Sequence, residues 1–75
     1  MAENVSIDLR GLQCPSPLVR LNEEMDDIES GREFFAVADD EAFELDIAAW
    51  CEMTGNELLA INNTTSEIVA HIRKT

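Results

Sequence analysis

The stretch Val5-Ser-Ile-Asp-Leu-Arg-Gly-Leu-Gln-Cys-Pro-Ser-Pro-Leu18 decides how the chain folds. Apolar and polar residues alternate over 5–9, which is the period of a half-buried β-strand. Pro15 and Pro17 then follow two positions apart. Only the first turn of a helix tolerates them, because its amides have no intrahelical partner. The stretch therefore predicts a strand that leads through a short loop into a helix.

Beyond this stretch, the hydrophobic pattern predicts two helices around a central strand. Apolar residues at helical spacing predict a first helix over 16–28, ended by Gly31. The continuous apolar run at 34–38 predicts a central strand covered on at least one face. The acidic residues at 39–41 are expected to cap a second helix, with Gly55 as its C′ residue. Strand and helix thus alternate twice.

The rest of the chain predicts two more strands, at 57–61 and 67–73, joined by a turn at 62–65. The order β-α-β-α-β-β predicts an α+β fold, a two-layer sandwich with one four-stranded mixed sheet. Right-handed crossovers put both helices on one face of that sheet. The other face is expected to meet solvent through its polar residues, which are Ser6, Asp8, His71 and Arg73.

The chain is short and strongly acidic. Its 75 residues predict a single domain over 1–75. Sixteen acidic and five basic side chains give a formal charge of −11, which repels nucleic-acid phosphates and anionic membrane surfaces. No apolar run is long enough for a transmembrane span, and the first residues lack the features of a signal peptide. We therefore expect a cytoplasmic monomer that neither binds nucleic acid directly nor inserts into a membrane.

Cys14 is the residue whose context changes its reactivity. It lies where the predicted strand becomes a helix, and the free amides and partial positive charge of a helix start stabilise a thiolate. The flanking prolines stiffen the loop and hold the sulfur at the surface. Thiols stay reduced in the cytoplasm, so the pattern favours a working thiol over a structural disulfide. The alternative is a small apolar residue at the end of a strand.

The run Leu9-Arg-Gly-Leu-Gln-Cys14-Pro15-Ser16-Pro17-Leu18 resembles the signature of the TusA (SirA-like) sulfur-carrier family, which has a CPxP motif at the start of its first helix. The resemblance extends over roughly 5–73. It continues through four later blocks at family-like spacing, Ala38-Asp39-Asp40, Asp46-Ile47, Trp50-Cys51 and Thr54-Gly55-Asn56-Glu57-Leu58-Leu59.

This resemblance implies a βαβαββ sandwich that carries sulfur and does not turn over as an independent enzyme. Cys14 would accept a sulfane sulfur as a persulfide, with Pro15 and Pro17 as supporting motif residues. The implied partners are a sulfur-donor protein, such as a cysteine desulfurase or a rhodanese, and a sulfur-acceptor protein. The relay would serve tRNA thiolation, molybdenum-cofactor assembly or dissimilatory sulfur metabolism, and no cofactor is implied.

The second cysteine and the single histidine have simpler interpretations. Cys51 follows Trp50 at the edge of an apolar helix face, which favours a packed core thiol. Some members of the resembled family have a cysteine in this block, so an auxiliary thiol is the alternative. His71 is expected to face solvent. One histidine and two distant cysteines lack zinc-like spacing, so we expect no metal site.

Two other classes of function compete with a sulfur carrier. The first is a regulatory, protein-binding module that uses the acidic end of the first helix to bind a basic partner. The second is a nucleic-acid-binding domain, because the sandwich resembles the carboxy-terminal domain of translation initiation factor 3, although the net charge opposes it. The acidic residues in question are Glu23, Glu24, Asp26, Asp27 and Glu29.

Overall fold

The mixed sheet and two helices predicted above are present in the computed structural model, which describes residues 5–12 and 16–75. The α+β sandwich and its β-α-β-α-β-β order are confirmed. Neither helix is long and apolar enough to cross a membrane. The elements are β1 (Val5–Asp8), α1 (Ser16–Met25), β2 (Glu33–Ala38), α2 (Phe43–Thr54), β3 (Glu57–Asn63) and β4 (Ile68–Arg73).

The strand order across the sheet is β1-β2-β4-β3. β2 pairs with β1 in parallel and with β4 antiparallel, while β3 closes the far side antiparallel to β4. β2 is therefore a central strand, as its apolar run predicts. Beyond β1, the amide of Leu9 donates to the carbonyl of Val37 at 2.7 Å. This bond carries the parallel pairing one residue past the end of β1.

The core lies between the sheet and the two helices. Alternate residues of β2 point toward the helices and are fully buried, and both helices pack on this same face. The apolar stripe of α2 packs on the same side chains, so the buried residues form one continuous hydrophobic cluster. Its largest buried side chains are Phe34, Phe43, Leu9, Leu21, Ile47, Ile72 and Pro17.

Helix α1 ends at Met25, and the prediction of a helix to residue 28 was wrong. The chain leaves the helix through a turn in which the Ile28 amide donates to the Met25 carbonyl at 3.1 Å. The ammonium of Lys74 donates to the carbonyls of Met25 and Ile28, both at 2.6 Å. A cation thus neutralises the negative end of α1, where the sequence itself supplies only acids. Ile28 still enters the core, at 3% exposure.

The acids before α2 do not cap it as predicted. Ala42 occupies the N-cap position and makes no side-chain cap bond. The Asp40 carboxylate accepts from the Ala42 amide at 3.1 Å, which closes a local turn before the helix, and Asp39 points elsewhere. The other end follows the prediction: Gly55 has φ +81° and its amide donates to the Cys51 carbonyl at 2.9 Å.

The β3–β4 hairpin is longer than predicted. β3 continues to Asn63, and the turn lies at 64–67, where the Thr64 amide donates to the Glu67 carbonyl at 2.8 Å. A bulge between Leu58 and Ala60 shifts the register of β3 against β4. The predicted turn at 62–65 therefore begins two residues too early, because the polar Asn62 and Asn63 are strand residues.

The second face of the sheet is only partly the polar surface that the alternation predicts. No described element covers it, and Ser6 and Asp8 are exposed there. Three half-buried apolar residues share this face with His71, because neighbouring strands bring them side by side. They are Phe35, Val37 and Val69.

Replacing Lys74 by Met is expected to lower the free energy of unfolding by about 1–2 kcal/mol, because two charge-assisted bonds to the end of α1 are lost. Met keeps most of the apolar stem. Urea denaturation measures the change. Arg20→Met removes one positive charge from the exposed surface of α1 and should cost less than half as much; equal losses would contradict the capping role.

Candidate functional site

The predicted functional residue Cys14 and its neighbour Pro15 lie outside the described residues, so the site is built from the chain on either side. Leu12 precedes this segment and α1 begins at Ser16. Only three residues, 13–15, separate Leu12 from Ser16 in the sequence. The junction between β1 and α1 is therefore the candidate site.

On the β1 side of the junction, the turn after β1 is held by the carboxylate of Asp39. The Gly11 amide donates to both carboxylate oxygens of Asp39, at 3.0 and 3.1 Å. Gly11 has φ +83°, a left-handed conformation that suits glycine. Asp39 directly follows β2, and the carboxyl ends of parallel strands meet at one edge of a sheet. The turn after β1 is thus tied to the end of β2.

The second side of the junction is the start of α1. Its first turn holds no acidic residue, so no carboxylate of that turn neutralises the positive end of the helix dipole. Pro17, the last residue of the motif, is fully buried and fixes this turn against the core. Leu18 packs partly against the same core. The predicted start of the first helix at residue 16 is confirmed, and the role of Cys14 beside it stays a prediction.

The charges next to the junction are mainly negative. Hydrogen bonds from the side chain and amide of Arg10 lower the pKa of Asp8 to about 2. The same guanidinium lies 3.0 Å from the Glu67 carboxylate, so two acids neutralise this cation. Asp40 and Glu41 line a shallow depression of about 440 Å³ beside Gly11. These carboxylates oppose ionisation of a nearby thiol, whereas the start of α1 favours it.

Cys51 lies in the core, on the buried face of α2, and is 3% exposed. Burial raises the pKa of its thiol to about 11. This position agrees with the packed-core interpretation, because a buried, protonated thiol is a weak nucleophile. The auxiliary role of Cys51 stays a prediction, since its separation from Cys14 falls outside the described residues.

His71 lies away from the junction, on the uncovered face of the sheet. It is half-buried where solvent exposure was expected: its ring stacks on Phe35 with centroids 4.4 Å apart, and Nε2 lies 2.8 Å from a Glu33 oxygen. Hydrogen bonds from Arg73 and His71 lower the pKa of Glu33. Among residues 5–12 and 16–75, no group of histidine, cysteine or carboxylate side chains has the geometry of a metal site.

Asp39 is the site residue whose role the sequence reasoning missed. Its place in an acidic run before a helix suggested a cap, and the structure gives it the Gly11 amide instead. The contact could have been predicted from parallel pairing. An acidic residue directly after one parallel strand lies beside the turn that follows the adjacent strand. Such a prediction depends on the strand order, which the sequence alone did not establish.

Comparison with known proteins gives consistent matches over this fold. The family model described as Sulfurtransferase TusA matches residues 5–74. A putative sulfur carrier protein of Aquifex aeolicus (strain VF5) is 36% identical over 72 residues, covering 96% of this chain and 36% of that protein. The putative sulfur carrier protein YrkF of Bacillus subtilis (strain 168) is 32% identical over 71 residues, with coverages of 95% and 38%.

A shorter relative matches along almost its whole length. The sulfur carrier protein TusA of Buchnera aphidicola subsp. Baizongia pistaciae (strain Bp) is 30% identical over 73 residues, covering 97% of this chain and 92% of that protein. The chain spans little more than a third of the length of the two longer relatives.

Asp39→Ala is expected to speed hydrogen exchange of the Gly11 amide several-fold, because the amide loses its acceptor. Amide exchange followed by NMR measures the rate. Glu41→Ala removes the same charge from an exposed neighbour and should leave that rate unchanged. Equal acceleration in both variants would show that charge, and not the bond, governs the turn.

Cys51 is expected to resist alkylation in the folded chain and to react readily in urea. At pH 8, a thiol with a pKa of about 11 holds on the order of a hundredfold less thiolate than an ordinary cysteine. Iodoacetamide labelling of Cys14→Ser, followed by intact mass, isolates Cys51. Labelling at the rate of a free peptide thiol would contradict its burial.

Proposed function

Because the chain belongs to the TusA sulfurtransferase family, we propose that it is a sulfur carrier that holds a sulfane sulfur as a persulfide on Cys14. The observation that carries the proposal is the position of Cys14 in the motif, between a turn anchored by Asp39 and the acid-free start of α1. Pro15 and Pro17 support that segment in the proposal, and Pro17 is buried against the core.

The proposed chemistry is two successive thiol exchanges. The Cys14 thiolate attacks the outer sulfur of a donor persulfide, the sulfur–sulfur bond breaks, and the donor leaves as a thiolate. An acceptor thiolate then attacks the outer sulfur now on Cys14 and releases the Cys14 thiolate. Each step makes one sulfur–sulfur bond and breaks another, so no external oxidant or reductant is needed.

A sulfur carrier of this kind needs little from its fold. An accessible, partly ionised thiol suffices, and a deep pocket is not required. The start of α1 favours the thiolate of Cys14, whereas burial disfavours that of Cys51. Of the two cysteines in the chain, Cys14 is therefore the one proposed to carry sulfur.

The partners in this proposal are a sulfur-donor protein, of the cysteine desulfurase or rhodanese class, and a sulfur-acceptor protein. The relay they form would serve tRNA thiolation, molybdenum-cofactor assembly or dissimilatory sulfur metabolism. We propose that the chain acts as a cytoplasmic monomer and contacts these proteins directly.

The rival proposal is a regulatory module whose acidic surface binds a basic protein. Most of the acids that follow the middle of α1 are exposed, including Glu23 and Asp26, which gives this candidate a surface to use. The two proposals differ on Cys14, because the module needs no thiol. Reversing the charge of Glu23 and Glu24 would abolish binding in the module while leaving sulfur loading of Cys14 intact.

Incubation with inorganic polysulfide is expected to add one sulfur atom to the native chain, as measured by intact mass. Reduction should remove that atom, and Cys14→Ser should not acquire it. Cys51→Ser is the matched control and should load like the native chain, because Cys51 is buried. The proposal fails if Cys14→Ser loads normally or if the native chain gains no sulfur.

A further inference from the structure

The helix layer carries an apolar groove between α1 and α2. Its volume is about 330 Å³, and its walls include Leu18 of α1 with Ala49 and Met53 of α2. Met53 is 85% exposed, and Leu45, two helical turns before it, is 79% exposed. Spaced four residues apart, Leu45, Ala49 and Met53 form one stripe on α2. A contiguous group of exposed apolar side chains is a feature of binding surfaces.

The floor of the groove is preformed. Trp50 lies at its base with 5% exposure, and its indole nitrogen donates to the Asn22 side chain at 2.8 Å. That bond joins α2 to α1 across the groove. The Thr54 hydroxyl donates to the Trp50 carbonyl at 2.7 Å and closes the far end. A partner would therefore meet a fixed shape and would not have to order the floor on binding.

The charges of the helix layer are mainly negative. Asp46 lines the groove itself, and Glu23 and Glu52 are exposed elsewhere on α1 and α2. Arg20 is the only basic residue in the sequences of the two helices. The apolar stripe therefore lies in a field of carboxylates.

This combination selects the occupant. An apolar segment flanked by lysine and arginine fits this surface, because its apolar side chains pack in the groove and its positive charges face the carboxylates of the helix layer. A second copy of this chain does not, because it would bring another net charge of −11 and another acidic helix layer to the same surface.

We propose that the α1–α2 groove is the docking site for an amphipathic, basic segment of the protein that exchanges sulfur with Cys14. The inference rests on the proposed function. Leu18, which lines the groove, lies only four residues after Cys14 in the sequence. A segment seated in the groove therefore holds its parent protein next to the reactive thiol.

The test uses a synthetic amphipathic helix with leucines on one side and lysines on the other. A flexible linker ends in a cysteine activated as its pyridyl disulfide. The Cys14 thiolate attacks the peptide sulfur, a mixed disulfide forms, and pyridine-2-thione leaves and is measured by absorbance. Free dipyridyl disulfide reports the intrinsic reactivity of Cys14, so a failure there counts against the proposed function and not against the groove.

The peptide is used at a concentration below saturation. The native chain should then react with it at least about tenfold faster than Met53→Lys, because the new lysine repels the positively charged peptide from the groove. Ala60→Lys adds the same charge on the other side of the molecule and should match the native chain within about twofold. All three chains should react equally with free dipyridyl disulfide.

Three results would overturn the inference. Equal slowing in Met53→Lys and Ala60→Lys would mean that net charge alone attracts the peptide. Equal rates for all three chains with the peptide would mean that the groove is not used. Self-association of the native chain that Met53→Lys abolishes, measured by sedimentation, would assign the groove to a second copy.

Discussion

The parallel pairing of β1 with β2 is the constraint on which the site depends. It brings the ends of both strands to one edge of the sheet, so that Asp39, directly after β2, can accept the amide of Gly11. The bond sets the direction of the chain as it leaves β1, and Pro17 anchors the first turn of α1 in the core. In the sequence, Cys14 lies between Gly11 and Pro17.

The chain is strongly acidic, and basic side chains in it bind several acidic or carbonyl groups. The chain has only five basic residues, and Lys74, Arg10 and Arg73 show how they are used. Lys74 caps α1, Arg10 is held by Asp8 and Glu67, and Arg73 lies between Glu33 and Glu57. The charge that remains exposed is overwhelmingly acidic. An acidic surface of this kind opposes the ionisation of nearby thiols and attracts basic molecules.

Local pattern was sufficient to predict the element order, because each element has a short and consistent signal. The alternation over 5–9, the apolar run of β2 and the stripe of α2 ended by Gly55 all describe backbone conformations that neighbouring residues decide. Predictions failed where a distant residue competes with local preference. Lys74 caps α1 from almost fifty positions away, and Asp39 bonds to Gly11 instead of capping α2.

The same distinction applies to the candidate site. The motif predicted Cys14 as the reactive residue and a helix start after it, because the chemistry of a thiol at a helix terminus is local. The stack of Phe35 on His71 was not predictable, since it depends on the register between β2 and β4. The α1–α2 groove was equally hidden, because the packing of two helices and the indole bond of Trp50 to Asn22 create it.

In a small sulfur carrier, the reactive thiol and the surface that recognises its partners have to be separate. With 75 residues, most of the apolar side chains are committed to one core, and little remains to enclose a substrate. A bare thiol at a surface would exchange sulfur with any accessible partner, so selectivity has to come from surfaces that recognise the partner protein. In the proposal above, the apolar stripe on α2 provides such recognition, and no pocket around the sulfur is required. The reactivity of Cys14 and the choice of its partners are then separate properties.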